Sequence, residues 1–139
     1  MSMNVTKVDV WAASIDDEIG GLSKYLAGLS EAEINLDFVI ARRSPDQPGR
    51  GVVFVAPLKG DEQIAVAEKL GFNVTRSVHS VRIEGDDKPG AGAEITKKLA
   101  DAGINIRGFS AGVLGGKFIA YIGMDNEEDA DKAVETLQG

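Results

Sequence analysis

Residues 99–106 read Leu-Ala-Asp-Ala-Gly-Ile-Asn-Ile, and residues 29–36 read Leu-Ser-Glu-Ala-Glu-Ile-Asn-Leu. The two stretches align at an offset of 70, with Ile34-Asn35-Leu36 over Ile104-Asn105-Ile106. Upstream at the same offset, Asp16-Asp17 falls on Asp86-Asp87 and Gly20 on Gly90. Downstream, matching Val52 to Val55 with Phe118 to Tyr121 lowers the offset to 66. The change falls at Arg43-Ser-Pro-Asp-Gln-Pro-Gly-Arg50, which is longer than its counterpart Gly112-Val-Leu-Gly-Gly116. Loops absorb such changes in length. The 139 residues therefore read as two similar modules, 1–78 and 79–139, carrying net charges of -3 and -4.

Each half shows the same order of elements. In the second, Ser80 to Glu84 alternates apolar Val81 and Ile83 with polar residues, which predicts a strand. Asp86-Asp-Lys-Pro-Gly90 breaks it. Pro89 suits the first turn of a helix, and Asp87 is a candidate cap. The helix over 89–102 carries Ile95, Leu99 and Ala102 on one face, and Gly103 stops it. Strands over 104–111 and 117–124 follow, joined by a Gly115-Gly116 turn. Asp125-Asn126 caps a last helix whose apolar stripe is Ala130, Ala133, Val134 and Leu137. The first half repeats the plan: strand 8–13, helix 20–32, strands 34–42 and 51–57, helix 61–70, strand 72–78. The fold class is α+β: two ferredoxin-like βαββαβ modules with antiparallel sheets and helices on one face.

Composition narrows the function. Hydrophobic residues at 43% and charged residues at 27% describe a globular chain. Aromatics are 6%, so Val, Ile, Leu and Ala must build the core. A net charge of -7 opposes nucleic acid and anionic membrane as partners. No apolar stretch approaches the roughly 20 residues that span a bilayer. Met-Ser-Met-Asn-Val-Thr has no secretory pattern, so the expected location is cytoplasmic. There is no Cys and one His, His79, so thiolate chemistry, a Ser-His triad and a His/Cys metal site have no components. Neither Gly112-Val-Leu-Gly-Gly-Lys-Phe118 nor Gly90-Ala-Gly92 meets a phosphate-loop pattern. No enzyme activity, catalytic residue, cofactor or metal is expected. A small ferredoxin-like enzyme or enzyme subunit is the alternative.

Asp86-Asp-Lys-Pro-Gly90 followed by Leu99-Ala-Asp-Ala-Gly-Ile-Asn-Ile106 resembles the ACT domain, a ferredoxin-like module that senses amino acids in metabolic enzymes and regulators. The first half departs from the pattern: Ile19 stands for the Pro and Glu33 for the Gly, which points to a different loop shape. Relatives in this style resemble regulatory subunits and the glycine cleavage repressor type of regulator. The resemblance implies an amino-acid effector between paired modules. The loop after the first strand and the Asn opening the second would hold it. Those residues are Asp87, Gly90 and Asn105, and in the first half Asp17, Gly20 and Asn35. A homodimer and a metabolic enzyme are the implied partners. The chemistry is suitable: a helix N-terminus attracts carboxylate, Asn offers donor and acceptor, and Asp accepts from an ammonium group. The same residues also serve plain structural ends, as caps, turns and loop ties.

The second half stops after its last helix, so its fourth strand is missing. Asn4-Val-Thr-Lys7 resembles Asn73-Val-Thr-Arg76. Residues 4–8 either pair into the second module as that strand or lengthen the first strand. Trp11 reads as packing, and His79 as a strand surface residue. Arg42-Arg43 reads as solvated, with reach toward an anion. Glu127, Glu128, Asp129 and Asp131 read as acidic residues favoured by a helix N-terminus.

Overall fold

The computed structural model describes residues 3–138. Among the described residues six strands and four helices form an α+β fold: β1 (Asn4–Asp16), α1 (Gly21–Glu31), β2 (Phe38–Arg43), β3 (Arg50–Ala56), α2 (Gly60–Leu70), β4 (Val78–Asp86), α3 (Ala91–Asp101), β5 (Ile106–Leu114), β6 (Lys117–Met124) and α4 (Glu127–Gln138). The chain divides into two compact units, Val10–Ser77 and a unit made of Met1–Asp9 with Val78–Gly139. β1 contributes to both.

In the unit Val10–Ser77 the strand order is β2-β3-β1, all antiparallel, with Trp11 opposite Val55, Ala13 opposite Val53 and Ile15 opposite Gly51. Ala13, Ile15, Val53 and Val55 are buried with Leu29 and Ala67 of the helices. The alternate residues Ala12, Ser14, Val52 and Phe54 therefore lie on the helix-free face. Trp11 is half-buried against this core, as packing predicts.

The expected strand 72–78 does not form. Phe72 makes a single bridge to Ala13, and the Asn73 N–H donates to the Ala12 carbonyl at 2.9 Å. The Asn73 side chain then ends the strand. Its Oδ1 accepts from the Thr75 N–H at 3.1 Å and from Thr75 Oγ1 at 2.9 Å. Such a side-chain turn competes with the sheet ladder and bends the chain away.

In the other unit the order is β1-β4-β6-β5. Val81, Ile83, Ala120, Ile122 and Met124 pack under Ile95, Leu99, Ala130, Ala133 and Leu137. These include most of the apolar stripes expected of α3 and α4, whose other members, Ala102 and Val134, are partly buried against the same core. Val5 belongs to the same core, and Gln138 Nε2 donates to its carbonyl at 2.9 Å. Asn126 caps α4 as expected, its Oδ1 accepting from the Asp129 N–H at 2.8 Å. His79 lies in β4, half-buried, with Nδ1 3.2 Å from Asp9 Oδ1.

The registers correct the repeat. Ala13 pairs with Val53, and Ile83 pairs with Ala120. Residue 13 maps to 83 at an offset of 70, so 53 must map to 120, an offset of 67. The offset of 66 would turn every side chain of the strand to the opposite face.

Candidate functional site

The candidate loops hang from the ends of β1 and β4 in the same way. Asp86 Oδ1 is held by Lys117 Nζ at 3.0 Å, and the Asp87 N–H donates to the Gly116 carbonyl at 3.2 Å. In the first repeat Asp16 is ion-paired with Arg50, and the Asp17 N–H donates to the Gly49 carbonyl at 3.0 Å. Lys117 and Arg50 are counterparts at the offset of 67. Each loop is thus tied to the neighbouring hairpin by one cation and one backbone bond. The Asp86 carboxylate is held below its ordinary 3.8, chiefly by the hydrogen bond from Lys117. The Lys117 ammonium is held above its ordinary 10.5 by the same contact.

Gly20 and Gly90 then precede the helices. Both have φ of 83°, a left-handed turn that suits glycine, and neither helix has a side-chain cap. Asp87 is therefore not the cap of α3. Gly90 holds that position, and Pro89 precedes the helix rather than occupying its first turn. The Gly21 and Ala91 N–H groups donate to the Glu18 and Lys88 carbonyls at 3.0 and 3.2 Å, and only the next N–H groups of each first turn keep their capacity for an acceptor. The Asp87 side chain is exposed and has no ion pair or hydrogen bond among the described residues. Asp17 is different: its Oδ2 receives Arg43 Nε at 2.9 Å. Arg43 is thus an ion-pair partner, not only a solvated side chain.

Asn35 and Asn105 follow buried Ile34 and Ile104, and both are exposed. The turns before them are alike despite the sequence difference. Glu33 has φ of 58° and Gly103 has φ of 77°. The N–H of Ile34 returns to the Leu29 carbonyl at 3.1 Å, and that of Ile104 to the Leu99 carbonyl at 3.0 Å. The expected difference in loop shape at Glu33 is therefore absent, because Glu adopts the glycine conformation. A real difference lies at Gly21. A Cβ there would stand 2.2 Å from the Asp16 carbonyl oxygen, whereas Ala91 occupies the equivalent place in the second repeat.

Within one unit these residues are not brought together. Asp86 is opposite Lys117 at one end of β6, and Ile106 is opposite Met124 at the other. Seven residue steps at about 3.3 Å separate the two ends by about 23 Å. Asp87 and Gly90 sit at one end, Asn105 at the other. The same holds for Asp17 and Gly20 against Asn35, because Asp16 is opposite Arg50 and Phe38 is opposite Ala56. Sequence reading missed Lys117, Arg50 and Gly21. A basic residue following the hairpin glycine was the available signal for the first two.

Among the described residues no cluster of three or more His, Asp or Glu is arranged for a metal, and no helix is long and apolar enough to cross a membrane.

Fold and loops together define a ferredoxin-like α+β protein with two related modules. Residues 79–138 match the ACT domain family model. No curated protein matches the chain. The fold resembles that of protein BT0572 from Bacteroides thetaiotaomicron, with a TM-score of 0.78, 19% identity, and coverage of 96% of this chain and 88% of that one. It also resembles the regulatory subunit of aspartate kinase from Thermus thermophilus, with a TM-score of 0.66, 17% identity, and coverage of 99% and 95%. The regulatory subunit of aspartate kinase from Thermus flavus aligns with a TM-score of 0.60, 16% identity, and coverage of 97% and 95%.

Proposed function

We propose that the chain is a regulatory protein without catalysis of its own, which binds an amino acid and signals to a metabolic enzyme. The ACT match over 79–138 carries this reading. The loop at Asp87 and Gly90 supports it, because a free carboxylate beside an uncapped helix N-terminus suits both charges of a zwitterion. Residues 4–8 serve as the fourth strand of the second module in this reading, and Val5 in its core supports that.

The separation of Asn105 from the loop requires a second copy. β5 lies at an edge and exposes Phe109, Val113 and Leu114, and residues 108–114 of the strand are uncharged after the exposed Arg107. Antiparallel pairing of β5 with β5 of a second copy places the start of one strand beside the end of the other. Asn105 of the second copy then approaches the Asp86–Gly90 end of the first. A homodimer with soluble, cytoplasmic residence completes the proposal.

Thermal melting against each of the twenty amino acids tests it. One of them should raise the melting temperature, since ligand at 100 times its Kd adds about 2.7 kcal/mol. No shift with any amino acid at millimolar concentration would contradict the reading.

A further inference from the structure

A cavity of about 500 Å³ opens on the unit Val10–Ser77, with none of the candidate loop residues in its lining. Its walls include Ala12, Ser14, Asp46, Gln47, Val52 and Asn73. The volume lies within the range of small-molecule sites. It exists because of the longer hairpin loop of the first repeat; the second repeat has only Gly115-Gly116 there.

The loop is a built wall. The Gln47 N–H donates to the Ser44 carbonyl and the Arg50 N–H to the Gln47 carbonyl, both at 3.0 Å. Pro45 and Pro48 restrict the backbone between them. The floor, from Ala12 and Val52, is apolar and lies on the helix-free face of the sheet. The polar groups around it have assigned capacities. Ser14 Oγ accepts from Arg50 Nε at 3.2 Å and from the Arg50 NH2 nitrogen at 2.8 Å, which leaves its O–H to donate. Asn73 Oδ1 is taken by Thr75, which leaves its NH₂ group to donate. Asp46 is the one charged side chain in the lining, and no cation pairs with it among the described residues.

We propose that this cavity binds a small organic amine with a flat apolar body and an oxygen at its far end. The ammonium group meets Asp46 on the loop. The body lies on Ala12 and Val52. The oxygen accepts from Ser14 Oγ and Asn73 Nδ2. The site shares no lining residue with the effector loops, so it stands or falls apart from the function proposed above.

Tyramine is a suitable probe, and 3-(4-hydroxyphenyl)propionate carries the same body with an anion in place of the amine. In amide NMR titrations of the full chain, tyramine should give saturable shifts confined to residues 44–52, 71–73 and 12–14. The propionate should give none. Asp46→Asn, at an exposed position, should weaken tyramine about tenfold or more. Ala12→Leu, which fills the floor, should remove binding while Asp46 stays in place. Absence of saturable shifts, shifts centred elsewhere, equal binding of the propionate, or identical titrations of wild type and Asp46→Asn would each overturn the proposal.

Discussion

The loop after β1 and the loop after β4 share a skeleton and differ in what they leave open. Both end in a glycine with φ of 83°, and both hang from an ion pair and a backbone bond to the hairpin. In the first, Arg43 occupies the Asp17 carboxylate, and Ile19 stands fully exposed beside it. In the second, Val113 holds the position equivalent to Arg43, and the Asp87 carboxylate has no partner among the described residues. Duplicated architecture thus preserves the support of a loop more closely than the chemistry presented on it. The second loop is the better candidate for a zwitterion, and the first is closed over its own charge.

The sharpest break in the comparison lies at the first residue of each helix. Gly21→Ala sets a Cβ against the Asp16 carbonyl and should destabilise by about 2–3 kcal/mol. The reverse change, Ala91→Gly, should cost about 1 kcal/mol, from backbone freedom and a small loss of burial. Urea melts of both variants test this, and equal losses would mean that the two loops are packed alike.

A smaller effect, of opposite sign, lies at the helix ends. Glu33→Gly relieves a left-handed residue and should stabilise by up to about 1 kcal/mol, while Gly103→Ala should destabilise by about as much. Destabilisation by both would show that the Glu33 side chain has a role beyond its backbone.

The smallest effect concerns pH. Asp86 is lowered by Lys117, so its contribution is present above 3.8 and is lost as pH falls through its lower folded value. Lys117 is raised by Asp86, so its contribution is present below 10.5 and is lost as pH rises through its higher folded value. Between those limits the anchor of the second loop is intact. Protection of the amides at residues 86–90, taken relative to the intrinsic exchange rate at each pH, should be high across that window and lower outside it. Equal protection at pH 6 and at a pH below the folded Asp86 value would show that the ion pair does not hold the loop.

Much of the fold was legible because the core is simple. Ile95 and Leu99, and Ala130, Ala133 and Leu137, recur at helical spacing, and all are buried. The α+β plan, the element order apart from the expected strand 72–78, and the glycine turns at Gly20, Gly90 and Gly103 follow from such patterns. Two features were not legible locally. Asn4-Val-Thr-Lys7 is strand, yet Asn73-Val-Thr-Arg76 is a side-chain turn. Nearly the same word takes two conformations because strand pairing depends on neighbours rather than on the word. The register offset was also hidden, since runs such as Val52–Val55 and Phe118–Tyr121 are apolar at every position and show no alternation. For the site, the residue types were readable at Asp87, Gly90 and Asn105. Their separation along β6 was not, because it depends on strand register.

The central claim is that the loop of one copy and Asn105 of another complete one amino-acid site. It can be tested by mixing two defective variants, Asp87→Ala and Asn105→Ala. Alone, each should bind the stabilising amino acid about ten- to a hundredfold more weakly than wild type, through loss of a charge-assisted hydrogen bond. After exchange of subunits, each mixed dimer holds one site with both defects and one with neither. Calorimetry of an equimolar mixture should then show wild-type affinity at about a quarter of the sites. A mixture that binds as weakly as its two parents would contradict the account.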